Sequence, residues 1–146
     1  MSEIGTRKDT IQKWLEDDGW KPNKERTNQV ETLYNLKNNK FQLFLDGNVD
    51  KITLLYKYTL SSELQGLGES LILDFVYELR TDLLLLDIYL KYDSNSKTFE
   101  LQNFIFWEES IRNKLLHSVY KMDQVIDLCE IKDNRFVYNY QTSSME

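Results

Sequence analysis

Few residues of this chain are equipped for chemistry. It holds one histidine and one cysteine in 146 residues. A lone cysteine excludes an internal disulfide framework, and a lone histidine excludes most histidine-based metal and catalytic sites. His117 falls between the apolar positions Leu115 and Val119, so it is expected at a helix edge or in solvent. Cys129 continues the apolar spacing of the same segment and reads as core packing, because no histidine is placed to activate it. Glu16-Asp17-Asp18 sets three carboxylates at a helix end where the macrodipole disfavours them, and reads as a solvated face. Glu108-Glu109 stands at a helix start, where the dipole favours negative charge. Asp46 and Asp50 flank a turn, but their spacing does not fit a calcium loop. No phosphate-cradling glycine loop, nucleophile elbow or zinc-binding helix motif is present. No catalytic residue, metal ligand or cofactor-binding residue is therefore assigned, and no cofactor is expected.

Composition narrows the classes further. Lys plus Arg number 18 and Asp plus Glu 24, a formal charge of −6. That balance speaks against nucleic acid as a partner, because phosphate binding draws on clustered cations. Met1 to Asp9 is polar and carries no apolar leader core. The longest apolar run, Leu83 to Leu86 and on to Leu90 across Asp87, is far shorter than the ~20 residues of a membrane span. No membrane partner is expected, and a cytoplasmic location is.

The elements that must carry these residues follow from periodicity. Ile11, Trp14 and Leu15 share one helix face, so a helix is expected from Arg7 to Asp18. Thr6 and Asp9 resemble a capping box at its start. Gly19 is placed to end it in a left-handed conformation, folding Trp20 back on the last turn. Lys21 to Gln29 reads as loop. Strands are then expected over Val30–Leu36, Phe41–Leu45 and Ile52–Tyr58, with turns at Lys37–Lys40 and Asp46–Asn48. Ser61-Ser62 opens a second helix whose apolar face is Leu64, Leu67, Leu71, Ile72, Phe75, Val76 and Leu79, with a kink allowed at Gly66 and Gly68. Leu83–Tyr92 and Thr98–Phe106 read as a hairpin about the turn Asp93–Ser96. Ile111, Leu115, Val119, Met122, Ile126 and Cys129 mark the last helix. Phe136 to Tyr140 alternates and reads as an edge strand.

The order helix, three strands, helix, two strands, helix is an α+β pattern, expected as two layers with an antiparallel sheet. One domain over residues 1–140 is expected, with a disordered tail over 141–146. The hairpin departs from the usual alternation of one buried and one wetted face. Leu84, Leu86, Ile88 and Leu90 oppose Leu83, Leu85 and Tyr89, while Phe104 and Phe106 oppose Phe99, Leu101 and Ile105. Leu83, Leu85, Tyr89, Phe99, Leu101 and Ile105 are therefore the candidate interface, since a contiguous apolar patch marks an interaction site.

The segment Ile11-Gln-Lys-Trp-Leu-Glu-Asp-Asp-Gly-Trp20 resembles the opening of an uncharacterised, largely archaeal domain family of the type III secretion chaperone-like fold, which YbjN-like proteins share. Leu60–Glu63, Phe75–Leu86 and Phe104–Trp107 add to the resemblance, which spans most of Ile11 to Ile131. It implies a small acidic homodimer that binds extended client segments over apolar surface. The expected function is a non-enzymatic protein- or peptide-binding module, chaperone- or adaptor-like, acting as a homodimer. The alternative is a small-molecule-binding protein or carboxylate-dependent enzyme with a pocket between sheet and helices.

Overall fold

The computed structural model describes residues 3–22, 32–35, 41–45 and 51–144. The fold is α+β. Its elements are α1 (Glu3–Asp17), β1 (Lys21–Pro22), β2 (Thr32–Asn35), β3 (Gln42–Leu45), β4 (Lys51–Thr59), α2 (Ser62–Gln65), α3 (Glu69–Leu84), β5 (Tyr89–Asp93), β6 (Thr98–Phe106) and α4 (Ile111–Ser144). The strand order in the sheet is β1-β2-β3-β4-β6-β5. The chain divides into two compact units, residues 1–56 with 102–119 and residues 57–101 with 120–146.

In the first unit, β1, β2, β3 and β4 form an antiparallel meander with Phe44 opposite both Leu33 and Thr53. Period-two alternation places Phe41, Leu43 and Leu45 in the core with Ile52 and Leu54. The two-residue strand β1 falls where the sequence reads as loop, and the expected turns at 37–40 and 46–48 lie outside the described residues. Helix α1 begins at Glu3, four residues before the expected start, so Thr6 is inside the helix rather than capping it. Its end is as expected. Gly19 has φ +92°. The Gly19 N–H donates to the Glu16 carbonyl at 3.1 Å and the Trp20 N–H to the Leu15 carbonyl at 2.9 Å. These two bonds make a Schellman closure, which returns Trp20 to the core beside Ile11, Trp14 and Leu15. Asp18 is answered by Arg112, whose Nε and Nη2 donate to its two carboxylate oxygens at 3.0 and 2.6 Å. On β6, Asn103 is buried and accepts from the Ser118 hydroxyl of α4.

In the second unit, Ser61 caps α2 by accepting from the Leu64 N–H at 3.1 Å, and the Gln65 amide reaches back to the Leu60 carbonyl at 2.8 Å. The expected kink is a full break: Gly68, at φ +97°, separates α2 from α3. Helix α3 buries Ile72, Phe75, Val76, Leu79 and Leu83 at helical spacing. It therefore takes Leu83 and Leu84 from the strand expected there, and β5 starts only at Tyr89. The Asp87 N–H donates to the Leu84 carbonyl and the Ile88 N–H to the Leu83 carbonyl, each at 3.1 Å, with Asp87 at φ +59°. This repeats the α1 closure with aspartate in the glycine's place, which a short polar side chain tolerates.

The chain from Phe136 to Tyr140 is helical, not an edge strand, and α4 runs on through Ser144, so Gln141–Ser144 is helix where a disordered tail is expected. Met122, Val125, Ile126, Cys129, Asp133 and Val137 are its buried positions in this unit. Asp133 interrupts the apolar stripe with 1% of its surface exposed. Its carboxylate accepts from the Tyr58 hydroxyl at 3.1 Å, the Ser61 N–H at 2.9 Å and the Ser61 hydroxyl at 2.5 Å. Tyr58 also stacks on Phe99, with centroids 4.8 Å apart.

Replacing Asp133 with Ala leaves buried donors without an acceptor. The expected loss is about 2 kcal/mol or more, read as a lower urea midpoint. Tyr58→Phe keeps the ring stack and removes one bond, so its loss is expected near 1 kcal/mol. Equal midpoints for both variants and the wild type would contradict the role given to Asp133.

Candidate interaction surface

The six expected interface residues separate into two groups. Leu83, Phe99 and Leu101 have no exposed surface, and Ile105 has 5%. Leu85 and Tyr89 are exposed, at 85% and 48%. Leu83 is buried because it continues the α3 stripe, four residues after Leu79 and seven after Val76. Phe99, Leu101 and Ile105 are buried because β6 turns its odd-numbered residues inward, with Asn103 among them. The outward side of β6 carries Glu100, Gln102, Phe104 and Phe106 instead. Phe106 is exposed, and the Lys51 ammonium lies 4.5 Å from the Phe104 ring centroid, within cation–π range. The outward face of β6 is therefore mixed, polar at Glu100 and Gln102 and aromatic at Phe104 and Phe106.

Part of the exposed apolar surface of the second unit is built by α3 and the turn after it; Tyr89 of β5 and Tyr120, Ile131, Tyr138 and Tyr140 of α4 are exposed there as well. Leu73, Tyr77 and Leu84 recur at i, i+4 and i+11 and so share one strip of the helix surface. All three are exposed. The Schellman closure at Asp87 then turns the chain and leaves Leu85 and Leu86 outside as well. The Leu86 carbonyl is satisfied by the Lys121 ammonium of α4 at 2.9 Å. The side chains thus form an apolar ridge, while the backbone beneath it is held. The sequence signal for this ridge is the continuation of the helical period through Leu83, which makes Leu84 and Leu85 the outward residues.

A separate polar cleft of about 460 Å³ is lined by Lys57, Lys91, Tyr92, Asp93, Ser94, Thr98 and Glu100. All of them come from β4, β5, β6 and the turn after β5. Lys57, Glu100 and Lys91 stand on three neighbouring strands. The Asn95 N–H, 2.9 Å from the Asp93 carboxylate, and then the Ser96 hydroxyl hold that carboxyl below its ordinary value. Beside the cleft Lys97 pairs with Glu69, which raises the lysine. The Tyr92 hydroxyl lies 3.4 Å from both oxygens of the same carboxylate, and burial first and that charge second raise it.

The sequence's other candidates resolve plainly. His117 is exposed. Cys129 is buried, and desolvation pushes its thiol from 9.0 up to about 12. Glu108 pairs with Lys114 at 2.9 Å. Asp46 and Asp50 lie outside the described residues. Among the described residues no cluster of three His, Cys, Asp or Glu is arranged to hold a metal ion. No helix of the described residues is long and apolar enough to cross a membrane.

Comparisons with known proteins give fold and no activity. No family model matches the chain, and no curated protein matches it. A crystal structure of an uncharacterized protein from Methanothermobacter thermautotrophicus is similar to it, with a TM-score of 0.60. The likeness covers 92% of this chain and 98% of that one at 14% identity. The chain shares the fold of that archaeal protein.

The state of Cys129 sets an alkaline limit. Its folded pKa is raised, so the folded state holds the proton more tightly and the stabilisation is complete below the ordinary value of 9.0. It declines as pH climbs toward about 12, and Tyr58, raised first by burial and then by Asp133, adds to the loss at higher pH. The urea midpoint is expected to fall between pH 8.5 and 10.5, with a shallower fall in Cys129→Ala. At pH 8 a disulfide reagent should label Cys129 only at the rate of unfolding. Fast labelling of the native protein would refute the burial of this thiol.

Proposed function

We propose that this chain is a non-enzymatic protein- or peptide-binding module, chaperone- or adaptor-like, that acts as a homodimer. The carrying observation is the ridge of Leu73, Tyr77, Leu84, Leu85 and Leu86. Leu85, at 85% exposure, is the most exposed large apolar side chain of the described residues. Leaving adjacent leucines in water gains nothing for the fold, whereas a partner that covers them recovers about 25 cal/mol for each Å² removed from water. The held backbone at Leu86 suits docking without local refolding, which keeps the ordering cost of association small.

Two further points support the reading. The opening Trp14-Leu-Glu-Asp-Asp-Gly-Trp20 resembles the archaeal domain family of type III secretion chaperone-like fold, and the fold is shared with an archaeal protein. A secretion role as such does not follow, because a fold hosts many functions. The titratable groups fit this reading: the single thiol is buried and protonated, and the single imidazole is exposed.

The polar cleft favours a second reading, a small polar ligand bound among Lys57, Lys91, Asp93 and Glu100. A metabolite that raises the melting temperature of the wild type but not of Lys57→Ala would move the assignment there.

Leu85→Asp tests the first reading. The residue is exposed, so stability should stay within about 0.5 kcal/mol of wild type. A stoichiometric foreign chain retained by the native protein in intact-complex mass spectrometry should be lost from Leu85→Asp and kept by Glu63→Ala, an exposed substitution in α2. Retention of the partner by Leu85→Asp would overturn the assignment of the ridge.

A further inference from the structure

Strand β5 stands last in the strand order, so among the described residues one of its long edges has no strand neighbour. Such an edge is a template for pairing and is either guarded or used. Its inward residue Leu90 is buried; its outward residues Tyr89, Lys91 and Asp93 are exposed. The outward sequence is thus aromatic, positive, negative.

Among registers centred on a residue of β5, centring on Tyr89 or Leu90 makes no ion pair between strand residues, the latter setting Lys91 against Tyr89 of the second copy, and the other three differ in charge. Directly opposed residues of an antiparallel ladder project to the same side. Two identical strands related by a twofold axis must therefore centre on a residue. Centring on Lys91 sets Lys91 against Lys91 of the second copy, and centring on Asp93 sets the two aspartates together. Like charges directly opposed destabilise a ladder. Centring on Tyr92 sets Lys91 against Asp93 of the second copy and, by symmetry, Asp93 against Lys91. Opposite charges then meet twice. The Asp93 carboxylate is also oriented in advance, because it accepts from the Asn95 N–H at 2.9 Å.

We propose that β5 pairs antiparallel with β5 of a second copy in the register centred on Tyr92, closing two Lys91–Asp93 ion pairs across the twofold axis. This rests on the homodimer part of the proposed function and names the surface that serves it. The ridge at Leu85 is then left for the client.

Charge exchange tests the register. Lys91→Glu and Asp93→Lys each make both opposed pairs like-charged, so each variant alone is expected to dimerise at least about tenfold more weakly than wild type by sedimentation equilibrium. In an equimolar mixture every opposed couple is again of opposite sign, and a one-to-one heterodimer of near wild-type affinity should form. Asp93→Asn, which keeps an acceptor for the Asn95 N–H, should be intermediate and separates charge from damage to the turn. Wild-type association by both charge variants alone, or no recovery on mixing two folded variants, overturns the β5 register while leaving a homodimer through another surface. A wild type that stays monomeric at 100 μM concentration removes the homodimer and the pairing together.

Discussion

A buried carboxylate is costly unless donors surround it, and Asp133 is surrounded. Three hydrogen bonds from Tyr58 and Ser61 converge on it. Several features of the second unit depend on this one arrangement. The Ser61 N–H and hydroxyl, drawn to Asp133, fix where β4 gives way to α2, and the same hydroxyl oxygen caps α2 at Leu64. Tyr58 is set at the depth where its ring stacks on Phe99. The helix that carries Asp133 can then run past a charged residue without losing its apolar seam, and Val137 resumes the burial one turn later.

Two helices end by the same device and with opposite results. In α1 the left-handed residue is Gly19, and the chain beyond it returns Trp20 to the core. In α3 the left-handed residue is Asp87. The chain beyond it returns Ile88 to the core, but Leu84, Leu85 and Leu86 stay in water. The difference lies in what precedes the closure. The last turn of α1 is polar, Glu16-Asp17-Asp18, so its outward residues suit solvent. The three residues before Asp87 are all leucine, so the same geometry exposes apolar surface. The proposed docking ridge is thus a local consequence of helix-ending chemistry applied to a leucine run.

The elements legible in the sequence were those whose period is unambiguous. β6 matches its expected bounds, and the α4 seam from Ile111 to Cys129 and the Gly19 ending of α1 are as read. Of the six candidate interface residues only Leu85 and Tyr89 are exposed. A continuous run from Leu83 to Leu86 fits a two-faced strand and the end of a helix equally well, and period alone does not separate them. The helical stripe ending at Leu83 does separate them. The closure at Asp87 was hidden because aspartate marks a helix ending far less often than glycine.

What the sequence by itself determined is the α+β order and the inward face of every element with clean periodicity. Tertiary structure alone decided three matters. It made Asp133 a core residue, because the donors that compensate its burial lie over seventy positions away in the chain. It made Phe136–Tyr140 helix, because continued packing of α4 through Asp133 and Val137 outweighs the local strand preference of alternating aromatic residues. It chose which side of the β5–β6 hairpin faces the core. Both sides carry apolar residues, so only the neighbouring layer that covers one of them settles which is buried.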